Sequence, residues 1–240
     1  MKICIFQKGF NYSQDGPGNR LVYHMQGCGM RCPWCANPEG LAVMGTHSID
    51  VNDLVDEVLR SQSMFFDGGG VTFTGGEPTM QIDALSHTLK YLHAQGIDTA
   101  LETNATYANI DELFPYIDHL MIDFKHPFPQ KHKEITGVPL YCILDNIRKA
   151  CAVHPYVLVR IPLVNGYNAS PEEMKGFALT LSEMKGQNLS VEPLWYHEYG
   201  RHKWERLNMP YTVKDGYLTS EQKQEFLDIL HNHGLRIVIT

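Results

Sequence analysis

The stretch Leu21-Val22-Tyr23-His24-Met25-Gln26-Gly27-Cys28-Gly29-Met30-Arg31-Cys32-Pro33-Trp34-Cys35 carries a short apolar run straight into three closely spaced cysteines. Runs of this kind suit strands buried on both faces of a parallel sheet. Similar runs follow at residues 70–74, 99–103, 119–124, 157–164, 189–194 and 236–239. Amphipathic stretches lie between them. Val51, Leu54, Val55, Val58 and Leu59 form one helical stripe. Ile82, Leu85, Leu89 and Leu92 form a second, and Met174, Phe177, Ala178 and Leu181 a third. Ser170-Pro171-Glu172-Glu173 and Thr219-Ser220-Glu221-Gln222 are helix starts with capping side chains, and Gly234 is a helix stop. Strand–helix alternation predicts parallel β/α architecture. About six βα units can be counted, fewer than the eight of a closed barrel. The expected fold is therefore α/β: a partial (β/α)6 TIM-like open barrel, one domain over residues 1–240.

The spacing Cys-x3-Cys-x2-Cys lets one loop offer three thiolates to a cubane iron–sulfur cluster. Such clusters normally take four, and in the ferredoxin pattern a remote Cys followed by Pro completes a set. Here Cys4, Cys142 and Cys151 are followed by Ile5, Ile143 and Ala152. The reading is a [4Fe–4S] cluster held by Cys28, Cys32 and Cys35, with one iron open to a small molecule. A zinc site with His24 as fourth ligand is the alternative, since zinc takes mixed Cys/His sets. Cys142 and Cys151 fall on opposite faces of an expected helix and read as small hydrophobes.

Composition narrows the classes. The 240 residues are 43% hydrophobic with a net charge of -7, which supplies one sizeable core and argues against an electrostatic nucleic-acid binder. No run of roughly 18 apolar residues suggests a membrane span. The start, Met1-Lys2-Ile3-Cys4-Ile5-Phe6-Gln7-Lys8, turns polar too quickly for a signal peptide. Six clustered cysteines do not resemble a secreted disulfide framework. A reducing cytoplasm in an anaerobic cell is the expected setting.

In βα barrels, chemistry sits at the C-terminal ends of the strands. Those positions hold Gly75-Gly76-Glu77-Pro78, Glu102-Thr103-Asn104, Asp123 with Lys125, Arg160 and Tyr196-His197-Glu198. Charge in a buried strand is costly unless paired or functional. Each also has a plainer reading: Asp123 and Lys125 as an ion pair, Arg160 as a counter-charge for Asp123 or Glu102, glycine pairs as turns. In context, Gly75-Gly76 would let the backbone approach a ligand, with Glu77 accepting from an ammonium group.

These residues resemble the glycyl-radical-enzyme activating enzymes of the radical S-adenosylmethionine (SAM) superfamily, most closely the pyruvate formate-lyase-activating type. The supporting stretches are Asp15-Gly16-Pro17-Gly18-Asn19-Arg20, Gln26-Gly27-Cys28, Trp34-Cys35-Ala36-Asn37-Pro38, Gly68-Gly69-Gly70-Val71-Thr72, Gly75-Gly76-Glu77, Thr103-Asn104, Asp123-Phe124-Lys125 and Tyr196 through Trp204. The resemblance implies reductive cleavage of SAM at the [4Fe–4S] cluster and abstraction of a glycine α-hydrogen, which installs a glycyl radical on a partner such as pyruvate formate-lyase. It implies Trp34, Ala36 and Asn37 beside SAM, Gly75, Gly76 and Glu77 at the methionine ammonium, and Asp123, Phe124, Lys125 and Arg160 around the carboxylate and ribose. His197 would pack on the adenine, and Asp15 would face the partner's glycine loop. No side chain is implied as a general acid or base.

Flavodoxin or ferredoxin would supply the electron, and the protein would be a monomer. Glu102-Thr103-Asn104-Ala105 departs from the family's pattern, which puts in doubt a monovalent-cation site at Glu102. Thirty-two residues separate Cys35 from Gly68 and none is Cys, so the chain resembles the form without a ferredoxin-like insert after its cluster loop, residues 27–37. A radical SAM enzyme acting on a small molecule and a non-enzymatic metal-binding protein are the alternatives.

Overall fold

The computed structural model describes residues 1–42, 47–184, 186 and 188–239; the final residue of the expected 1–240 domain lies outside that set. The strands are β1 (Lys2–Tyr12), β2 (Asn19–Met25), β3 (Ser48–Asp50), β4 (Val71–Gly75), β5 (Thr99–Thr103), β6 (His119–Asp123), β7 (Val157–Leu163), β8 (Leu189–Trp195) and β9 (Arg236–Ile237). The helices are α1 (Val51–Arg60), α2 (Ile82–Ala94), α3 (Pro129–Thr136), α4 (Tyr141–Val153), α5 (Pro171–Met184), α6 (Arg201–Arg206) and α7 (Ser220–Asn232). Strand order in the open sheet is β3-β1-β2-β4-β5-β6-β7-β8-β9. By internal contacts the chain divides into two compact units, residues 1–29 with 39–121, and residues 30–38 with 122–239.

In the first unit β2, β4 and β5 run parallel, with Met25 opposite Gly75 and Phe73 opposite Leu101. Their side chains are buried almost throughout, as apolar runs between two layers should be. Helix α2 turns Leu85, Leu89 and Leu92 wholly inward, each such burial stabilising by about 1.5–3 kcal/mol. Helix α1 starts at Asp50, whose carboxylate accepts from Asn52 N at 3.0 Å.

Two strands of this unit were not foreseen. β1 pairs antiparallel with both β2 and β3, and residues 7–10 are exposed. A strand stabilised by pairing more than by burial leaves little apolar signal.

Arg20, at the start of β2, is wholly buried. Its Nε donates to Thr72 Oγ1 at 2.8 Å and its Nη2 to Val71 O at 2.9 Å, and Nη1 pairs with Asp98 at 2.8 Å. Burial alone would lower the guanidinium's pKa, and Asp98 opposes that.

In the second unit β7, β8 and β9 are parallel, with Arg160 opposite Glu192. Helix α5 starts as expected: Glu173 N donates to Ser170 Oγ at 3.3 Å, and Glu173 Oε2 accepts from Ser170 N at 2.8 Å. Thr219 and Gln222 close a full capping box on α7, and Gly234 follows its end at φ 66°. Cys142 and Cys151 are half-buried on α4, where burial pushes the Cys151 thiol up to about 11.

Burial holds His126 and His132 below the ordinary histidine range, Glu173 opposing the shift at His126 without reversing it. The unfolded chain takes up protons at both below about pH 6.5, while the folded chain resists them. Stability is therefore lost as pH falls through that range. Urea unfolding of the metal-free protein should show a lower midpoint at about pH 5.5 than at about pH 7.5; equal midpoints would contradict the assignment.

Candidate functional site

Because Met25 and Gly75 share a register, Gln26-Gly27 and Gly76-Glu77 leave the sheet side by side. Gly27 N donates to Gly40 O at 2.9 Å, Gly76 N to Met25 O at 2.9 Å, and Glu77 N to Gly27 O at 2.6 Å. A Cβ at Gly76 would sit 2.3 Å from Gly27 O and 2.7 Å from Gly40 O. Gly75 has φ 112°, and a Cβ there would meet the backbone of His24 and Met25. This glycine pair thus packs against the backbone immediately before Cys28.

Glu77 is tied to the strand ends around it. Its buried carboxylate accepts from Thr79 N at 3.1 Å, Thr79 Oγ1 at 2.6 Å, Thr103 Oγ1 at 2.7 Å and Asn104 N at 2.7 Å. Three of these bonds fall on Oε1 and one on Oε2, so of a carboxylate's about four lone-pair sites the free capacity lies on Oε2. Burial pushes its pKa up, against the pull of those donors. Held this way, Asn104 directs Nδ2 at Cys28 Sγ, 3.6 Å away.

In the second unit the chain from Met30 to Pro38 is irregular, and its backbone partners come largely from elsewhere. Cys35 N reaches Cys32 O at 3.2 Å, but Arg31 N donates to Thr136 O at 2.8 Å. Trp204 Nε1 donates to Cys35 O at 2.8 Å, and Lys203 Nζ donates to Asn37 Oδ1 at 2.9 Å. Gly200 lies so close that an added Cβ would stand 2.7 Å from Ala36 Cα and 2.9 Å from Cys35 O. Trp34 is buried, edge-on to Tyr167 with ring centroids 5.4 Å apart.

Asp123 and Lys125 form an ion pair at 2.8 Å, the plainer of their two readings. Burial alone would lower the Lys125 ammonium's pKa; Asp123 and the neighbouring Cys32 and Cys35 thiolates push it up. Phe124, between them, is wholly buried with its ring edge-on to Phe177, so its side chain belongs to the core. Arg160 donates to Glu192 Oε2 at 2.7 Å, and both are buried; this partner is neither Asp123 nor Glu102. Glu102 accepts from Thr74 Oγ1 at 2.6 Å. His197 lies on the surface just beyond β8, stacked on Tyr199 at 4.3 Å.

Asp15 sits in the turn between β1 and β2. Its carboxylate accepts from Asn11 Nδ2, and its carbonyl accepts from Thr72 Oγ1 at 2.7 Å. His24, the alternative zinc ligand, lies on β2 with its ring 5.6 Å from that of Phe6.

Among the described residues no three His, Cys, Asp or Glu side chains are gathered for a single metal ion. The fit of an iron–sulfur cluster rests on the donor set. All six cysteines are free of disulfides, Cys28 and Cys32 are buried, and Cys35 is half-buried. A side-chain N–H faces the Cys28 sulfur and a cation lies by Cys32 and Cys35. Hydrogen bonds to sulfur, nearby charge and burial are the features by which proteins hold and tune such clusters.

Residues 22–178 match the model of the Radical SAM superfamily. The chain belongs to that superfamily. Its cofactors are therefore a [4Fe–4S] cluster and SAM. It is 33% identical to a pyruvate formate-lyase-activating enzyme of Staphylococcus epidermidis, over 84% of each chain. It is 33% identical to one of Clostridium pasteurianum, over 89% of this chain and 90% of the relative. A solved domain of a pyruvate-formate lyase-activating enzyme from Bacteroides vulgatus is 30% identical, covering 72% of this chain and 99% of its own, with a TM-score of 0.59. A radical SAM methyltransferase from Sphaerobacter thermophilus shares the fold, with a TM-score of 0.69 at 16% identity over 96% of this chain and 68% of its own. Among the described residues no helix is long and apolar enough to cross a membrane.

The sequence reading missed Glu192, although a carboxylate inside the apolar run 189–194 was a usable signal. It gave no role to Asn104, Gly200, Lys203 or Trp204, whose contacts span distant parts of the chain.

Gly200→Ala should displace the backbone at Cys35 and Ala36, because the atoms it meets are main chain. After anaerobic reconstitution this variant should hold clearly less iron than wild type; full iron content would refute the clasp. Glu77→Ala should strand buried donors of Thr79, Thr103 and Asn104 and cost about 2–4 kcal/mol in denaturant unfolding.

Proposed function

We propose that this radical SAM enzyme is a glycyl-radical-enzyme activating enzyme, with pyruvate formate-lyase or a related enzyme as its protein substrate. The observation that carries the reading is the 33% identity to pyruvate formate-lyase-activating enzymes, which runs through most of both chains. Cys28, Cys32 and Cys35 would hold the cluster, and the whole of residues 1–240 would act as one radical SAM domain. When bound, the cluster and SAM supply the one-electron chemistry that removes a hydrogen atom from the partner's glycine.

The chain's own residues bind and orient. Trp34, Ala36 and Asn37 offer the exit of the cysteine loop, and Gly75 and Gly76 offer backbone. Asp123, Lys125 and Arg160 supply charge for SAM, with Glu192 aligning Arg160. His197, with a flat ring already paired to Tyr199, suits an adenine. Asp15 is proposed to meet the partner, its carbonyl braced through Thr72. Holding the reactants in fixed geometry is where the protein gains most of its rate. The electron would come from a flavodoxin or ferredoxin in the cytoplasm, to an enzyme acting as a monomer.

Reconstituted protein, SAM, dithionite and a candidate partner should together give a glycine-centred doublet in electron paramagnetic resonance. No doublet with any glycyl radical enzyme of the same cell would sink the proposal in favour of a small-molecule substrate. Cys32→Ala should abolish cluster assembly, whereas Lys125→Ala should keep its iron and bind SAM more weakly. Asn104→Ala removes a donor to sulfur and should move the cluster's midpoint potential downward in a redox titration.

A further inference from the structure

The functional reading leaves His132 of α3 unused, yet the side chain is wholly buried. Its Nδ1 lies 2.9 Å from Val138 O. A carbonyl only accepts, so Nδ1 carries the hydrogen and Nε2 is left as a bare acceptor. That Nε2 is buried with no hydrogen-bond partner. An unpaired buried acceptor costs stability, and apolar side chains of similar shape avoid the cost. A compensating role should therefore lie with Nδ1.

What Nδ1 closes is the turn after α3. The helix ends at Thr136, and Gly137 follows at φ 84° in the left-handed region. Thr136 Oγ1 donates back to His132 O at 2.7 Å, and Val138 N lies 3.3 Å from the same hydroxyl. The Thr136 carbonyl then accepts from Arg31 N at 2.8 Å, one residue ahead of Cys32.

We propose that His132 is a positioning residue for the cysteine loop. Its Nδ1–H clamps the turn at residues 136–138, and the turn's carbonyl fixes the peptide that leads into Cys32. This rests on Cys32 being a cluster ligand.

Asparagine and glutamine separate the two ring nitrogens. The amide of His132→Asn falls near Nδ1 and keeps the donor to Val138, while that of His132→Gln reaches toward Nε2. Holoenzyme of each, and of Cys32→Ala, is reconstituted anaerobically. Iron loss to a chelator and the spectrum of the reduced cluster with and without SAM are read beside the Tm of the metal-free proteins. His132→Asn should lose iron at the wild-type rate. His132→Gln should lose it faster by about tenfold or more, with an altered spectrum, at a temperature well below the Tm of either metal-free protein.

Wild-type retention by His132→Gln, or better retention by Gln than by Asn, overturns the proposal. So does a wild-type spectrum of the reduced cluster in His132→Gln beside a lower Tm of its metal-free form, which marks a folding role alone. Full iron in Cys32→Ala removes the ligand assignment, and the proposal with it.

Discussion

From Gly27 to Asn37 the backbone is neither helix nor strand, so its buried N–H and C=O groups must find partners outside the segment. Those partners determine much of the surrounding sequence. Gly27 takes Gly40 and Glu77, Arg31 takes Thr136, and Cys35 takes the Trp204 indole. None of these bonds survives if the two backbones are kept apart by a side chain. Hence Gly76 stands against Gly27 and Gly200 against Ala36. At Gly76 and Gly200 main-chain packing by itself leaves no room for a side chain.

Buried charge follows the same logic. Glu77, Arg20 and the Arg160–Glu192 pair are each taken out of water at a cost that apolar residues would avoid. Glu77 and Arg20 spend their hydrogen bonds where strands end or begin, and the Arg160–Glu192 pair joins the middles of β7 and β8. Glu77 joins the end of β4 to that of β5, and Arg20 reaches β4, the Gly68 carbonyl and the turn at Pro17. Glu192 stands opposite Arg160 on the neighbouring strand. An apolar side chain would gain stability there but could not fix a peptide group in orientation.

This division explains what the sequence made legible. Buried strands and amphipathic helices announce themselves through local periodicity, and capping at Ser170 and Thr219 is likewise local. β1 was hidden because its stability comes from a neighbour 7–20 residues onward rather than from an apolar face. The cysteine spacing is local too, and it carried the expectation of a cluster. Glu77 is legible only in part, because a carboxylate beside two glycines gives no local sign of the donors at Thr79, Thr103 and Asn104 that it serves. Trp204 lies 169 residues from Cys35, a separation over which no local pattern extends.

Charge around the thiolates has a further consequence. A cluster that must pass an electron to a sulfonium needs a low potential, and a nearby positive charge or a donor to sulfur raises it. Lys125 sets a cation beside Cys32 and Cys35, which by itself would work against that need. Asp123 lies 2.8 Å from the ammonium, so the field reaching the sulfurs is that of a nearly neutral pair. The ion pair first readable as a mere strand-end neutralisation thereby keeps the net charge beside those two sulfurs small.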